Sequence, residues 1–198
     1  MNRRIFTAAL SALLFAGAAS AFAQPSTWTI DHNHSQVNFA IRHAMVSTVR
    51  GSLSGITGTV VWDDKDPSKS SVEATIDATT VSTNNDARDK HLKSPDFFNV
   101  EKFPTLTFKS TSVTSSDGKL KVTGDLTLTG ITKSVTLTVD GPTAPVKGQG
   151  GKLVTGFSAT GTLKRSDYNF GSKFSSAALG DDVQFTIDVE AGRPGDAK

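Results

Sequence analysis

The stretch that decides the fold class is VQFTIDVE, at residues 183–190. Apolar and polar residues alternate through it without interruption, beginning at Val183 and ending at Glu190. Successive side chains of a β-strand point to opposite faces, so this alternation indicates an antiparallel strand with one buried face and one hydrated face. The stretch therefore predicts a β-sheet protein with a solvated outer surface.

The same period of two recurs through most of the chain. It is clear at residues 37–43, 72–79, 120–129 and 135–139, and weaker at residues 51–62, 105–113 and 153–163. Turn-forming sequences separate these strands, and two of the turns are good hairpin connectors. About eight strands joined mainly by hairpins predict an all-β fold, either an up-and-down antiparallel barrel or a sandwich. A barrel of that size can hold one small ligand inside it.

One segment breaks the strand pattern: TNNDARDKHLKSPDFF, at residues 83–98. It is densely charged, and it ends in two adjacent phenylalanines. Thr83 or Asn84 can cap the start of a helix, and Pro95 stops the helix soon after its end. The segment therefore predicts one short helix at residues 85–93. We expect this helix and the loop after it to cover one opening of the barrel, with one of the two phenylalanines packed inward beneath the helix.

The N-terminus has the parts of a secretory signal peptide. The first residues, MNRR, give a positive start, residues 5–19 are almost wholly apolar or small, and residues 21–23 (AFA) form a cleavage signal. We expect residues 1–23 to be removed and residues 24–198 to form one domain. No other stretch approaches the ~20 apolar residues that a membrane-spanning helix needs. The mature protein is expected to be exported, most simply to a bacterial periplasm.

Charge and cysteine content exclude several classes of protein. The chain has 21 Lys+Arg and 19 Asp+Glu, and loss of Arg3 and Arg4 with the signal peptide leaves 19 of each. No basic cluster of the kind that marks nucleic-acid binding remains. The chain has no cysteine and therefore no disulfide, but a domain of this length can bury enough core without one.

Four histidines are candidates for chemistry. His32 and His34 have strand spacing and could point the same way as two metal ligands, but no third ligand is evident and structural zinc normally needs four. The alternative is a turn in which His34 and Ser35 bond backbone groups, and no metal or cofactor is expected. His43 falls on the apolar face of its strand, either as a buried, hydrogen-bonded residue or as a polar anchor inside a ligand cavity.

Arg88, Asp89 and His91 lie within one helical turn, and Arg88 and His91 share a helix face. They form either a solvated face with internal ion pairs or a rim that holds an anionic headgroup. A hydrolase or isomerase using His43 or His91 with Asp89 is a further alternative. The chain has neither a Gly-x-Ser-x-Gly elbow nor a His-Glu-x-x-His pair, and the missing nucleophile and metal argue against an enzyme.

Several motifs follow one another along the chain: Asp31-x-x-His34-Ser35-x-Val37-x-Phe39, Arg42-His43, Arg88-Asp89-x-His91-Leu92-x-Ser94-x-x-Phe97-Phe98, Phe103-Pro104-x-x-x-Phe108-x-Ser110, Gly124-x-Leu126-Thr127-x-x-Gly130 and Arg165-x-Asp167. Together they resemble the motifs of the YceI family. The resemblance runs from about Trp28 to about Val189. It implies a lipocalin-like barrel in the periplasm with a long apolar tunnel, which binds polyisoprenoid chains or similar amphiphiles without a common enzymatic activity.

This resemblance and the strand pattern together predict a ligand site of two parts. The apolar members of alternating strands would line the tunnel: Val37, Phe39, Ile41, Phe108, Leu126 and Leu128. Polar and aromatic residues would lie at the mouth: His43, Arg88, Asp89, His91, Phe97, Phe98 and Arg165.

Three functions follow as alternatives. The first is a carrier of a long-chain isoprenoid or other amphiphilic lipid, such as an isoprenoid quinone, a prenyl phosphate or a fatty acid derivative. The second is a secreted stress-response or interaction module whose barrel packs itself full, and the third is the small lipid-modifying enzyme described above. The sequence leaves the oligomeric state open, a homodimer included.

Overall fold

The computed structural model describes residues 25–116 and 118–195. The expected signal peptide at residues 1–23 lies outside the described residues. The strands are β1 (Ser26–Ile30), β2 (Gln36–His43), β3 (Ser47–Leu53), β4 (Thr57–Trp62), β5 (Ser71–Asp77), β6 (Thr105–Ser116), β7 (Lys119–Leu128), β8 (Ile131–Asp140), β9 (Val146–Lys147), β10 (Leu153–Lys164) and β11 (Leu179–Arg193). The α-helix is α1 (Asp86–Lys93), and 3-10 turns lie at Pro67–Lys69, Ala78–Thr80, Gln149–Gly151 and Arg165–Tyr168.

The strands form one closed antiparallel barrel with eight strand positions, or staves, around its wall. β1 and β2 together occupy one position, because both pair with the same edge of β11. β3 and β4 together occupy the next position, because they pair with β2 and β1. The other six staves are β5, β6, β7, β8, β10 and β11, and each pairs with its neighbour in chain order. The predicted up-and-down barrel is confirmed, and the sandwich alternative is wrong.

Two strand boundaries differ from the prediction. Residues 51–62 do not form one strand, because the chain turns at Gly55, which has a φ of 68° in the left-handed region that favours glycine. The structure also contains β1, which the period of two does not predict. β1 is only five residues long, so its alternation is too short to stand out in the sequence.

The last strand, β11, closes the barrel. It is 15 residues long, and one of its edges pairs with β10 along most of its length, from Leu153↔Arg193 to Lys164↔Asp182. Its other edge pairs with β2 in the first part of the strand and with β1 near its end. The N-terminal and C-terminal staves are therefore held together by one strand.

The seam between β8 and β10 is the weakest in the wall. Only residues 138–140 and 158–160 pair across it. Beyond these pairs the 3-10 turn Arg165–Tyr168 contacts both strands, and its Tyr168 is 1% exposed. Burial raises the pKa of the Tyr168 phenol to about 12, so the ring stays neutral where it completes the wall.

One end of the barrel, which we term the mouth, carries the predicted helix. The β2–β3 hairpin, the β7–β8 turn at Thr129 and Gly130, and the segments that follow β5 and β10 all lie at this end. Thr129 and Gly130 both have positive φ values (52° and 77°), as the tight turn of a hairpin requires. The helix α1 (Asp86–Lys93) begins one residue later than the predicted helix at residues 85–93 and ends at the same residue. In the part of the chain that the structure describes, no helix is both long enough and apolar enough to cross a membrane.

Candidate functional site

The barrel encloses an apolar cavity that opens toward the mouth. Its outer chamber has a volume of about 660 Å³. Five of the six residues that the sequence assigns to a tunnel line this chamber, namely Val37, Phe39, Ile41, Leu126 and Leu128. The sixth, Phe108, lines a smaller inner chamber of about 140 Å³ toward the other end of the barrel. The barrel is therefore not packed full, although contact of these residues with a ligand stays a prediction.

The strand register explains why the cavity wall is continuous. Phe39 of β2 lies directly opposite Phe185 of β11, and Val37 and Ile41 lie opposite Ile187 and Val183. Residues that face each other across antiparallel strands share a face of the sheet, so both strands present their apolar side chains to the cavity. The members of β11 belong to the alternating stretch that decides the fold, but the sequence analysis did not assign them to the site.

Glycines in the wall keep aromatic rings out of the lumen. Phe39 lies directly opposite Gly51, and a Cβ atom on Gly51 would lie 2.4 Å from Cζ of the Phe39 ring. Phe108 lies diagonally across from Gly124, and a Cβ atom on Gly124 would lie 2.5 Å from Cζ of the Phe108 ring. Each ring occupies the space that a side chain on the glycine would fill. Large apolar side chains therefore line the wall without filling the interior.

Helix α1 is fixed at the mouth by its first turn. Asn85 caps the helix, since its Oδ1 accepts a hydrogen bond of 3.0 Å from the backbone N–H of Arg88. Arg88 donates from Nε to Oγ1 of Thr83 (2.7 Å) and from Nη2 to the Thr83 carbonyl (2.9 Å). Asp89 accepts from the N–H (2.8 Å) and the hydroxyl of Thr83. Both charged residues are thus bonded to Thr83, and they attach the helix to the chain after β5.

Arg88 also lines the outer chamber. Its Nη1 atom makes no hydrogen bond to the residues that the structure describes. The side chain is therefore partly structural and partly available. It can hold the helix with two nitrogens and present the third to a polar group at the mouth.

A second connection joins α1 to the segment between β10 and β11. His91 Nε2 lies 3.3 Å from Oδ2 of Asp96, and Lys173 Nζ donates to Oδ1 of Asp96 at 2.6 Å. The backbone N–H of Gly171 donates to the Asp96 carbonyl at 2.9 Å. The Lys173 ammonium, and then His91, hold the pKa of Asp96 below its ordinary value, so the carboxylate is charged at neutral pH and keeps both partners. His91 bonds Asp96 here, and its pairing with Asp89 in a catalytic dyad is not formed.

Aromatic rings fill the space beneath these two segments. Phe97 stacks on Phe174 at 5.6 Å between centroids, and Phe98 meets Phe170 edge-on at 4.7 Å. Phe97 and Phe98 are both buried, so the expectation that only one of them packs inward is wrong. Phe170 and Phe174 line the outer chamber but were missed by the sequence analysis. The only sequence signal for them is two phenylalanines four positions apart in a segment without strand pattern.

Arg165 is buried at the same end and is fully bonded. Its Nε donates to the Gly180 carbonyl (3.0 Å), and each of its two terminal nitrogens donates two hydrogen bonds to carbonyls of the segment that it faces: Phe170 (3.1 Å), Gly171 (2.8 Å), Phe174 (2.7 Å) and Leu179 (3.0 Å). These five bonds use all five N–H donors of a guanidinium. Arg165 also lines the outer chamber, and a ligand role for it stays a prediction.

The other histidines differ in placement. His43 lines the outer chamber at the mouth but is exposed, so the buried, hydrogen-bonded alternative is wrong. His34 lies in the predicted turn, where its Nδ1 is 3.2 Å from Oδ2 of Asp31 and 3.8 Å from Oε1 of Glu190. The Ser35 hydroxyl bonds the backbone of Glu190 as both donor and acceptor. His32 does not join His34 in this group, so the two histidines do not form a pair of ligands; instead the possible ligand atoms of Asp31, His34 and Glu190 lie within 4.8 Å of one another.

Comparison with known proteins identifies the family of this barrel. A family model described as the YceI-like domain matches residues 28–191, which is most of the chain. The chain belongs to the YceI-like family. Among curated relatives, Protein YceI of Salmonella newport (strain SL254) is 38% identical over 196 residues, which cover 96% of this chain and 97% of the relative. The resemblance inferred from the sequence motifs is therefore confirmed.

Solved structures share the YceI-like barrel. The YCEI protein of Campylobacter jejuni is 33% identical, with a TM-score of 0.68 over 77% of this chain and 89% of that one. BcnA of Burkholderia cenocepacia is 22% identical, with a TM-score of 0.70 over 81% and 98% of the two chains. A domain of Saccharophagus degradans, described as polyisoprenoid binding and implicated in plant cell wall breakdown, is 15% identical, with a TM-score of 0.63 over 84% and 98%. The last two likenesses show the fold alone.

Proposed function

We propose that this protein is a periplasmic binding and carrier protein for a long-chain amphiphile, whose apolar chain lies in the tunnel. The supporting observation is the apolar chamber of about 660 Å³ within a closed barrel, with charged side chains only at its mouth. Burying a hydrocarbon chain is favourable by roughly 0.8 kcal/mol for each CH₂ group, so such a chamber needs few polar contacts for affinity. Polar groups at one end would then set the orientation of the ligand.

A polyisoprenoid is the first ligand to consider. The Saccharophagus degradans domain described as polyisoprenoid binding has the same fold. Isoprenoid quinones, prenyl phosphates and fatty acid derivatives share the property that the tunnel selects, which is a long apolar chain with one polar end. The head would lie beside His43, Arg88 and His91, which line the chamber at the mouth.

The direct test is organic extraction of protein purified without detergent from its own host, followed by mass spectrometry. We expect a lipid with a long isoprenoid or acyl chain, present in an amount close to one per barrel. Extracted protein should then rebind a purified polyprenol. A barrel that yields no lipid and does not bind polyprenols or fatty acids after extraction would contradict the proposal.

The Arg88 side chain at the mouth leads to a prediction about the headgroup of the ligand. Arg88→Ala should weaken binding of a prenyl phosphate by roughly tenfold or more, since a hydrogen bond to a charged group contributes about 1.5–3 kcal/mol. Binding of the uncharged prenyl alcohol should change much less. Titration of both ligands into lipid-free protein measures the difference. Lys90→Ala is the matched control, because it removes a cation from the same helix at a position that does not line the chamber.

The contrary result is also specific. Equal losses for the phosphate and the alcohol, together with a lower melting temperature, would mean that Arg88 acts only through its bonds to Thr83. The role of Arg88 at the headgroup would then be withdrawn, while the carrier proposal would stand on the extraction result.

A further inference from the structure

The two chambers of the tunnel meet at a ring of four side chains. Ile76 of β5, Leu126 of β7, and Phe185 and Ile187 of β11 line both the outer and the inner chamber. Two of these residues lie on β11 and the others on β5 and β7, so a ligand that occupies both chambers must pass between their side chains. We call this ring the constriction.

The inner chamber beyond the constriction is wholly suited to a hydrocarbon. Its walls carry mainly aliphatic and aromatic side chains, with Trp62 and Phe157 in edge-on contact at 6.4 Å between centroids. The charged residues that line the outer chamber at the mouth, such as Arg88 and Arg165, do not line the inner one. The inner chamber therefore suits the apolar end of a molecule whose polar end lies at the mouth.

Phe185 is the one aromatic member of the constriction, and a glycine sets its position. It lies directly opposite Gly161 of β10. A Cβ atom on Gly161 would lie 2.4, 3.0 and 3.1 Å from three atoms of the Phe185 ring, which are its three nearest neighbours. The ring thus lies flat on the wall, in the space that any larger residue at position 161 would need.

Gly161 differs from Gly51 and Gly124, which also have a phenylalanine ring packed against them. A Cβ atom on Gly51 would also lie 2.7 Å from the Ser82 carbonyl oxygen, and one on Gly124 would lie 2.5 Å from the Lys109 carbonyl oxygen. Substitution at those positions would disturb the backbone. At Gly161 the backbone is not in the left-handed region, and the three nearest atoms all belong to the Phe185 side chain, which can turn into the lumen. A substitution at Gly161 can therefore test the position of the Phe185 ring without disturbing the backbone.

We propose that the Gly161–Phe185 pair sets the chain length that the tunnel accepts, because the ring on its glycine leaves the passage into the inner chamber open. The ligand class is a linear isoprenoid whose far end crosses the constriction. This inference rests on the proposed carrier function. It adds that the inner chamber is part of the site and that residues 161 and 185 position the passage into it.

The test measures the affinity of lipid-free protein for linear isoprenoid alcohols of increasing length. In the unchanged protein, affinity should rise with length until both chambers are filled. In Gly161→Ala, the methyl group displaces the Phe185 ring into the passage, and the rise should stop at a shorter chain. Short alcohols should bind within about twofold of the unchanged protein, and long ones roughly tenfold more weakly for every two CH₂ groups that no longer enter.

Three further variants make the result decisive. Gly161→Ala combined with Phe185→Leu removes the displaced ring and should restore the affinity for long alcohols. Thr162→Ala, at an exposed position of the same strand, should leave the length dependence unchanged. If Gly161→Ala fails to fold, Ile187→Phe narrows the same ring from another position and should shorten the accepted chain.

The outcomes separate this inference from the carrier proposal. One outcome is that the unchanged protein binds isoprenoids and that Gly161→Ala binds alcohols of every length with the same affinities. The constriction then does not set chain length, so the inference is wrong while the carrier proposal stands. If the unchanged protein binds no isoprenoid of any length, this inference is wrong, and the carrier proposal is decided by the extraction result and by the binding of fatty acids.

Discussion

Val183→Trp is expected to abolish most of the affinity for a long-chain ligand while leaving the barrel folded. Val183 lies near the mouth, opposite Ile41, and both residues line the outer chamber. An indole there occupies space that the chain would otherwise fill. If it displaces only three CH₂ groups, the loss is about 2.4 kcal/mol, or roughly fiftyfold in affinity. Titration of lipid-free protein with a polyprenol measures the effect.

The next residue on the strand provides the control. Gln184 is exposed on the outer face, so Gln184→Trp introduces the same side chain without entering the tunnel and should bind as the unchanged protein does. Tryptophan emission reports where each indole lies, with a blue shift expected for Val183→Trp alone. A blue-shifted indole at position 183 combined with full affinity would place the ligand outside the outer chamber.

Arg165→Ala is expected to lower the free energy of unfolding by at least about 3 kcal/mol. The substitution leaves five backbone carbonyls without their donor, and an unsatisfied buried polar group costs about 1–3 kcal/mol. The segment can move toward water and recover part of this loss, so the total is smaller than the sum of the five. For a domain of this size the melting temperature should fall by roughly 6–12 °C.

Two comparisons show whether Arg165 is structural. Arg50→Ala removes an exposed arginine from β3 and should change stability by less than about 0.5 kcal/mol. Arg165→Lys keeps the charge but concentrates its donors on one nitrogen, so it should recover little of the stability. A variant Arg165→Ala that melts normally but loses affinity for a charged lipid would instead support the headgroup role inferred from the sequence.

The long strands were predictable because each carries its own signal. The alternation at residues 183–190 is a local consequence of which face is wet, and it survives in β11 whatever the neighbouring strands are. The helix was equally accessible, since a proline follows soon after its end, although its cap is Asn85 and not the expected Thr83 or Asn84. The choice between a barrel and a sandwich could not be made from the sequence, because it depends on whether β11 pairs with both ends of the sheet.

The tunnel wall was predictable where it follows the strand pattern. Val37, Phe39 and Ile41 face the cavity as their alternation requires. Arg165 was assigned to the mouth by resemblance, but nothing local shows that its partners are carbonyls of residues 170–180. The pairing of phenylalanines with glycines was equally hidden, because it depends on cross-strand register. Gly161 and Phe185 are neighbours only through the pairing of β10 with β11.

The closing role of β11 has a consequence for when the protein can fold. Ser35 and Glu190 bond each other although they are 155 positions apart, and β1 and β2 have no partner on that edge until β11 has been made. Contacts so distant in sequence slow folding, since the loop must close before any pairing is gained. The barrel is therefore expected to assemble only after synthesis has reached its last strand. Until then the growing chain remains open to chaperones and to any machinery that handles unfolded polypeptides.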